Sequence, residues 1–399
     1  MSVSPDLLVA LSDPARPCFL FGCTPPREGT SDAEARRVAS LFAARSAALA
    51  TDGFVVYDIQ DESVRTSSAR PFPFRKTMDA AHFASFFFSL SGKRCTVYKS
   101  VSDASPEAFD EWLTHAATAY GHSAFTLVGA PSSAAAGAAG LTLLAAFARA
   151  RRHSGVGVGA VAIAERHTIK GNEHENMLRK SEAGASWFIT QGIFNAAPIV
   201  RLVREYGEAA RRAGVAPRKV VLTFAPVGRR KTLEFIKWLG MAVPPELEAR
   251  VFGAASPVAE SLVVLSEVLG EILIGTAGSG VPLGLNVESV SIVKEEIDAA
   301  HTLFATLQAQ LLNARGSPWA VRWFSVSDSL AEGEAARVLG AVRRDIKELA
   351  DAARETREAA AASGGAKGRD LALVALGAAA PAMIAAATLG YLLGRRSRS

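Results

Sequence analysis

Eight short apolar segments recur over the first 290 or so residues, and a helical pattern separates each from the next. They are CFLFGC (18–23), GFVVYDI (53–59), RCTVYK (94–99), AFTLVG (124–129), VGVGAVAI (156–163), SWFITQ (186–191), KVVLTFAP (219–226) and VPLGLNV (281–287). Near-continuous apolar strands alternating with helices describe a parallel sheet covered on both faces. Eight such units in roughly 280 residues predict a closed (β/α)8 TIM barrel rather than an open sheet. No GxGxxG run follows the first segment, and GVGVGA (155–160) lies within a strand, so a dinucleotide-binding open sheet is not expected. Of the intervening helices, SDAEARRVASLFAARSAALA (31–50) offers Ser31 or Asp32 as its N-cap, and APIVRLVREYGEAARRAG (197–214) ends on a glycine stop.

The barrel is expected to occupy residues 1–314. A connector and a long charged helix follow over 315–363, with a thin apolar stripe at Val338, Leu339, Val342, Ile346 and Leu349. That stripe suits packing on the barrel, pairing with a second copy in a homo-oligomer, or service as a stalk. Residues 364–370 form a flexible joint. Residues 371–394 carry no charge, and a helix of that length reaches about 36 Å, enough to cross a bilayer core. The basic tail 395–399 closes the span, so a C-terminal transmembrane tail anchor is expected, with the barrel in the cytoplasm.

Charge adds one exclusion. The formal net charge is +5, and three of those charges are Arg395, Arg396 and Arg398, so the body carries only +2. No Lys/Arg run interleaves with aromatic residues, and no nucleic-acid partner is expected. Cys18, Cys23 and Cys95 form no CxxC pair and no zinc spacing with histidine, so no metal is expected and the sparse count fits a reducing compartment. The opening MSVSPDLLVALSDPAR lacks the basic n-region of a secretory signal.

In a barrel of this kind, chemistry collects at the C-terminal ends of the strands. Those ends supply Gly22 to Arg27, then Asp58, Asp61 and Glu62, then Lys99, then Glu165 to His167, then Gln191, and finally Asn286 and Glu288. Carboxylates, cations and amides are therefore expected around one mouth. Gln191 is expected to face it, because a side-chain amide both donates to and accepts from a planar heterocycle.

The run GAVAIAERH followed by MLRKSEAGASWFITQGIFN resembles the central segment of the methylenetetrahydrofolate reductase family. The matching positions are Gly159, Glu165 and His167, then Lys180 with Ala183-Gly184-Ala185, then Thr190-Gln191 with Phe194-Asn195. Looser likeness spans about residues 18 to 310, through FGCTPPREG, VVLTFAPV, PPELEARVFG and GLNVES. The resemblance implies a barrel carrying FAD. It directs His167 and Lys180, together with Glu165 and Lys99, at the cofactor, Gln191 at the pterin of a folate-like substrate, and Asn286 at the same site. The departures are equally specific. The family's strand-1 Glu falls on Gly22, its strand-4 Arg-Gly-Asp on Val128-Gly129-Ala130, its strand-2 Thr-Tyr-Gly on Asp58-Ile59-Gln60, its strand-3 His near Tyr98 or Lys99, and its strand-5 Tyr on Ile163.

Two functions follow as expectations. One is flavin-dependent reduction of a folate-like C=N bond by NAD(P)H, with Asp58, Asp61 and Glu62 as a replacement acid group beside Lys99. The other is a non-catalytic, membrane-tethered barrel that binds a flavin- or folate-like ligand as a sensor or assembly factor.

Overall fold

The computed structural model describes residues 6–61, 68–102, 104–129 and 140–316. The eight expected strands all form: β1 Phe19–Cys23, β2 Gly53–Val56, β3 Cys95–Ser100, β4 Ala124–Val128, β5 Gly157–Ala162, β6 Ala185–Gly192, β7 Lys219–Phe224 and β8 Leu283–Val287. Each pairs in parallel with the next, and β8 returns to β1 through Leu20–Asn286 and Phe21–Val287, closing the barrel. The second strand stops earlier than its apolar pattern, so Tyr57, Asp58 and Ile59 lie past its end as mouth residues.

The helices start and stop where local chemistry satisfies their ends. Ser31 Oγ accepts the amide of Glu34 (3.4 Å) and opens α2 Asp32–Ser46. Asn195 Oδ1 accepts the amide of Ala197 (3.1 Å) and opens α8 Ala196–Arg212, which is followed by Gly214 at φ 67°. The start of α9 Arg230–Trp238 is capped from afar. The buried Glu296 carboxylate takes the amides of Gly228 (2.7 Å) and Arg229 (3.1 Å) and the Thr232 hydroxyl (3.0 Å). A negative charge suits a helix N-terminus, where unpaired amides converge.

The barrel interior is filled from below and from one side. Helix α1 Leu7–Ser12 contributes Leu7, Ala10 and Leu11 to a buried cluster with Leu20, Val55, Tyr98, Trp187, Ile189 and Val221. Lys219, buried at the start of β7, donates to the carbonyl of Ala10 and ties this plug to the barrel. Trp187 is fully buried and donates its indole N–H to Thr126 Oγ1 (3.2 Å). The glycines of β5 make room. A Cβ on Gly157 would sit 2.1 Å from Leu8 Cδ1, and one on Gly159 would sit 2.1 Å from Trp187 Nε1.

The chain divides into two compact units. The first, Met1–Leu262 with Thr276–Phe304, holds the barrel. In the second, Val263–Gly275 and Ala305–Ser399, the described residues are the later turns of α11 Pro257–Gly275 and of α12 Lys294–Gly316. There the Gln310 side-chain amide donates to Ser266 O (3.0 Å) and accepts the Ser266 hydroxyl (3.0 Å). Among the described residues no helix is long and apolar enough to cross a membrane. The expected charged helix, joint, transmembrane segment 371–394 and basic tail lie outside the described residues.

Gly159→Ala is expected to destabilise the fold by about 1–3 kcal/mol, because the new methyl group meets a rigid, hydrogen-bonded indole in a filled interior. Chemical denaturation measures it, and an unchanged midpoint would contradict this packing.

Candidate functional site

The loops after the strands enclose a cavity of about 900 Å3 at the C-terminal mouth, on the β2 to β5 side. Its wall combines Asp58 and Asp61 past β2, Lys99 and Ser100 of β3, and Trp112 of α4 Pro106–Thr118. Ile163 and Arg166 approach from β5 and α6 Ala164–Lys170, and Lys180 from α7 Glu173–Ala183. Glu28 and Lys76, an exposed ion pair (2.6 Å), stand on the same wall.

Asp58 is half-buried and tightly held. Its Oδ2 accepts the Ser100 amide (2.8 Å) and its Oδ1 accepts the Gln60 amide (2.7 Å). Burial raises its pKa, opposed by the Ser100 N–H and by the Lys99 ammonium. The Lys99 ammonium stands 4.8 Å from the Trp112 ring centroid, in cation–π range. Lys180 donates to Val161 O (3.0 Å) and to Glu173 Oε1 (3.2 Å). Burial lowers its pKa, and the neighbouring Glu173 carboxylate partly restores it. Lys99 and Arg166 form no ion pair among the described residues.

The residues singled out in the sequence therefore separate into groups. Asp58, Asp61, Lys99 and Lys180 line one cavity, whereas Glu62 lies outside the described residues. Gln191 and Glu165 both attach to the connection between α9 and α10 Pro245–Gly253. Gln191 Nε2 donates to Leu239 O (2.8 Å), and Glu165 Oε1 accepts the Ala242 amide (3.4 Å). Burial raises the pKa of Glu165. Neither residue is on the cavity wall. His167 is fully buried in the helical layer beside His174 and Glu205, and it too is off the cavity wall.

Asn286 is buried in the barrel. Its side-chain amide donates to Tyr57 Oη (2.9 Å) and to Thr223 Oγ1 (3.3 Å). That contact leads to Glu288, which the sequence placed at the end of the eighth strand without assigning it a role. Tyr57 packs edge-on against Tyr98 (centroids 4.9 Å apart), and its hydroxyl and the half-buried Glu288 both border the space at Gly22. Burial raises the Glu288 carboxyl from 4.5 to about 7, and the Tyr57 hydrogen bond pulls the other way. Such a carboxyl exchanges a proton near neutrality. It stands next to the empty strand-1 position, since a Cβ on Gly22 would lie 2.9 Å from the Tyr57 hydroxyl and 3.1 Å from Glu288 Cβ. The available signal was the pairing of a side-chain-free strand end with a carboxylate on the strand that closes the barrel beside it.

No family model and no curated protein matches this chain. Solved structures are similar over most of both chains. One is an uncharacterized protein from Clostridium thermocellum that binds two copies of 5-methyl-5,6,7,8-tetrahydrofolic acid, with 25% identity, a TM-score of 0.61, and coverage of 75% of this chain and 95% of that one. A putative lyase/mutase from Burkholderia cenocepacia J2315 aligns at 15% identity and a TM-score of 0.37, over 82% of this chain and 93% of its own. A 2,3-dimethylmalate lyase of the PEP mutase/isocitrate lyase superfamily aligns at 12% identity and a TM-score of 0.39, over 82% and 96%.

Glu288 sets a pH dependence. A carboxyl whose folded pKa is raised contributes stability that is present below 4.5 and lost as pH rises through about 7. Glu288→Gln removes that loss. Its unfolding free energy relative to the parent chain is expected to rise by on the order of 2–3 kcal/mol across that window, measured by denaturant titration at a series of pH values. Parallel pH profiles for the two chains would contradict this.

Proposed function

We propose that this chain binds a reduced folate in the mouth cavity. The observation that carries the reading is the cavity itself. A held carboxylate, Asp58, faces it beside the cations Lys99, Arg166 and Lys180, on a fold similar to that of a protein binding 5-methyl-5,6,7,8-tetrahydrofolic acid. A volume of about 900 Å3 falls in the range of ligand pockets that take drug-sized molecules.

The chemistry is complementary at both ends of such a ligand. A pterin presents adjacent ring and amino N–H groups along one edge. Each oxygen of Asp58 takes one protein hydrogen bond and keeps capacity for another. The glutamate end carries carboxylates, which Lys99 and Arg166 attract. Asp61, exposed at the rim, is assigned to the entrance rather than to the pterin. The span 371–394 is proposed to tether this barrel to a membrane from the cytoplasmic side, and the stripe at 330–363 to pair two copies. In this form the protein serves as a tethered folate-binding sensor or assembly factor.

A second reading adds FAD and NAD(P)H, with the flavin delivering hydride to a folate-like C=N bond. Lys180 and Arg166 on one wall favour it, since two cations suit a diphosphate. Here Lys180, Lys99 and Arg166 hold the cofactor, and His167 and Glu165 act only behind them. Asp58 supplies the proton, a contribution of about 10²–10⁴-fold in rate.

Titration calorimetry of the full chain in detergent with 5-methyltetrahydrofolate is expected to show saturable binding. Lys99→Ala and Asp58→Asn are each expected to weaken it about tenfold or more, as loss of a charged hydrogen-bond partner does. Absence of saturable binding would overturn the proposal. The second reading is checked separately. Protein saturated with FAD and then desalted is expected to keep a flavin absorbance that NADH or NADPH bleaches, and colourless protein removes the reductase reading while leaving folate binding untouched.

A further inference from the structure

Behind the mouth, three helices bring together two imidazoles and a carboxylate that the folate site does not use. His167 lies on α6, His174 on α7 and Glu205 on α8. The His167 ring is fully buried, and its Nδ1 makes no hydrogen bond. Its Nε2 stands 3.1 Å from Glu205 Oε2, without the alignment of a hydrogen bond. His174 Nδ1, also buried and without a hydrogen bond, stands 3.6 Å from the same oxygen. A buried polar atom without a partner costs about 1–3 kcal/mol, so His167 Nε2 and His174 Nδ1, both in this state beside one carboxylate oxygen, call for a shared partner.

We propose that His167 Nε2, His174 Nδ1 and Glu205 Oε2 form a binding site for one divalent transition-metal ion of the zinc type. One ligand atom from each residue lies within 4.8 Å of the other two. A tetrahedral ion with bonds of about 2.0–2.1 Å needs neighbouring ligand atoms about 3.3–3.4 Å apart, close to the two separations observed. Two imidazoles with one carboxylate suit zinc and its neighbours rather than calcium or magnesium, which take all-oxygen shells. Burial lowers the pKa of the His167 imidazole, and a metal ligand requires its neutral form. Glu205 is already oriented. Arg201 Nε donates to its Oε1 (2.7 Å) and leaves Oε2 for the ion. The Glu205 side chain is 33% exposed, which gives the ion an entry path and a place for a water as fourth ligand.

The site has a mechanical consequence. Residues 167 and 174 flank the turn at Gly171 (φ 70°) that joins α6 to α7. Arg166 and Lys180, on those two helices, reach the mouth cavity. An ion bridging both helices to α8 fixes the base from which these cations project. It is a structural clamp rather than part of the chemistry, and it stands whether or not the mouth binds folate.

Full-length protein in detergent, stripped with a chelator, is titrated with Zn2+ against a chromophoric competitor and, separately, with Co2+. The expected result is one equivalent per chain, a raised melting temperature and the visible spectrum of tetrahedral cobalt. His174→Ala and Glu205→Gln, partly exposed positions chosen because His167 variants risk misfolding, are expected to bind about tenfold more weakly or less. Their melting in chelator is expected to match that of the parent. No stoichiometric uptake by the parent chain, or unchanged affinity in both variants, would overturn the proposal.

Discussion

The packing of Trp187 over the glycines of β5 is the constraint on which the barrel rests. A closed eight-stranded sheet has an interior that side chains must fill without gaps. Here one indole takes the centre, its N–H satisfied by Thr126, and the space comes from Gly159. The same strand admits α1 from below, because Gly157 leaves room for Leu8. The register between β5 and β6 shifts at this point, between Val158 and Ala160. With the floor and middle of the barrel closed by apolar packing, the polar ends of the strands remain for the mouth.

From that floor upward the interior becomes progressively polar. Val221 belongs to the buried cluster, and two residues further along β7 Thr223 is paired with Asn286 of β8. Asn286 then reaches Tyr57, and Tyr57 reaches Glu288. Each step exchanges an apolar contact for a hydrogen bond, which a buried polar group requires. The cavity beyond sets the carboxylate of Asp58 against Lys99 and Trp112. The half-buried position of these charges makes them responsive to a ligand, since removing the remaining water strengthens every electrostatic contact with it.

The strands were legible because burial on both faces leaves a near-continuous apolar run in the sequence. The run that resembles a folate-reductase segment was legible as well, but much of it proves architectural. Gly159 accommodates Trp187, and Gly184 ends α7 at φ 130°. Thr190 accepts the amide of Thr223 across a shifted register, and Asn195 caps α8. A motif fixes a residue's place along the chain and not the direction in which its helix turns it. His167 shows the difference. Its position after β5 was readable, whereas its burial against α7 and α8 depends on a three-helix arrangement with no sequence period of its own. Asp58, Lys99 and Lys180 were easier, because strand ends and a long flexible stem carry charge to the mouth over a range of rotations.

Glu288 shows how a closed sheet brings together side chains that are far apart in sequence. Residue by residue, the chain lacks the carboxyl that the resemblance implies at the end of β1, and Gly22 stands there instead. In the closed sheet β1 lies against β8, with Phe21 level with Val287, so the ends of the two strands are neighbours despite their distance in sequence. A glycine at one end opens space, and the Tyr57 ring and the Glu288 Cβ border it. The low-dielectric surroundings of the Glu288 carboxyl disfavour its charged form and raise its pKa. Glu288 thus shares with Tyr57 the space that Gly22 leaves open between the two strand ends.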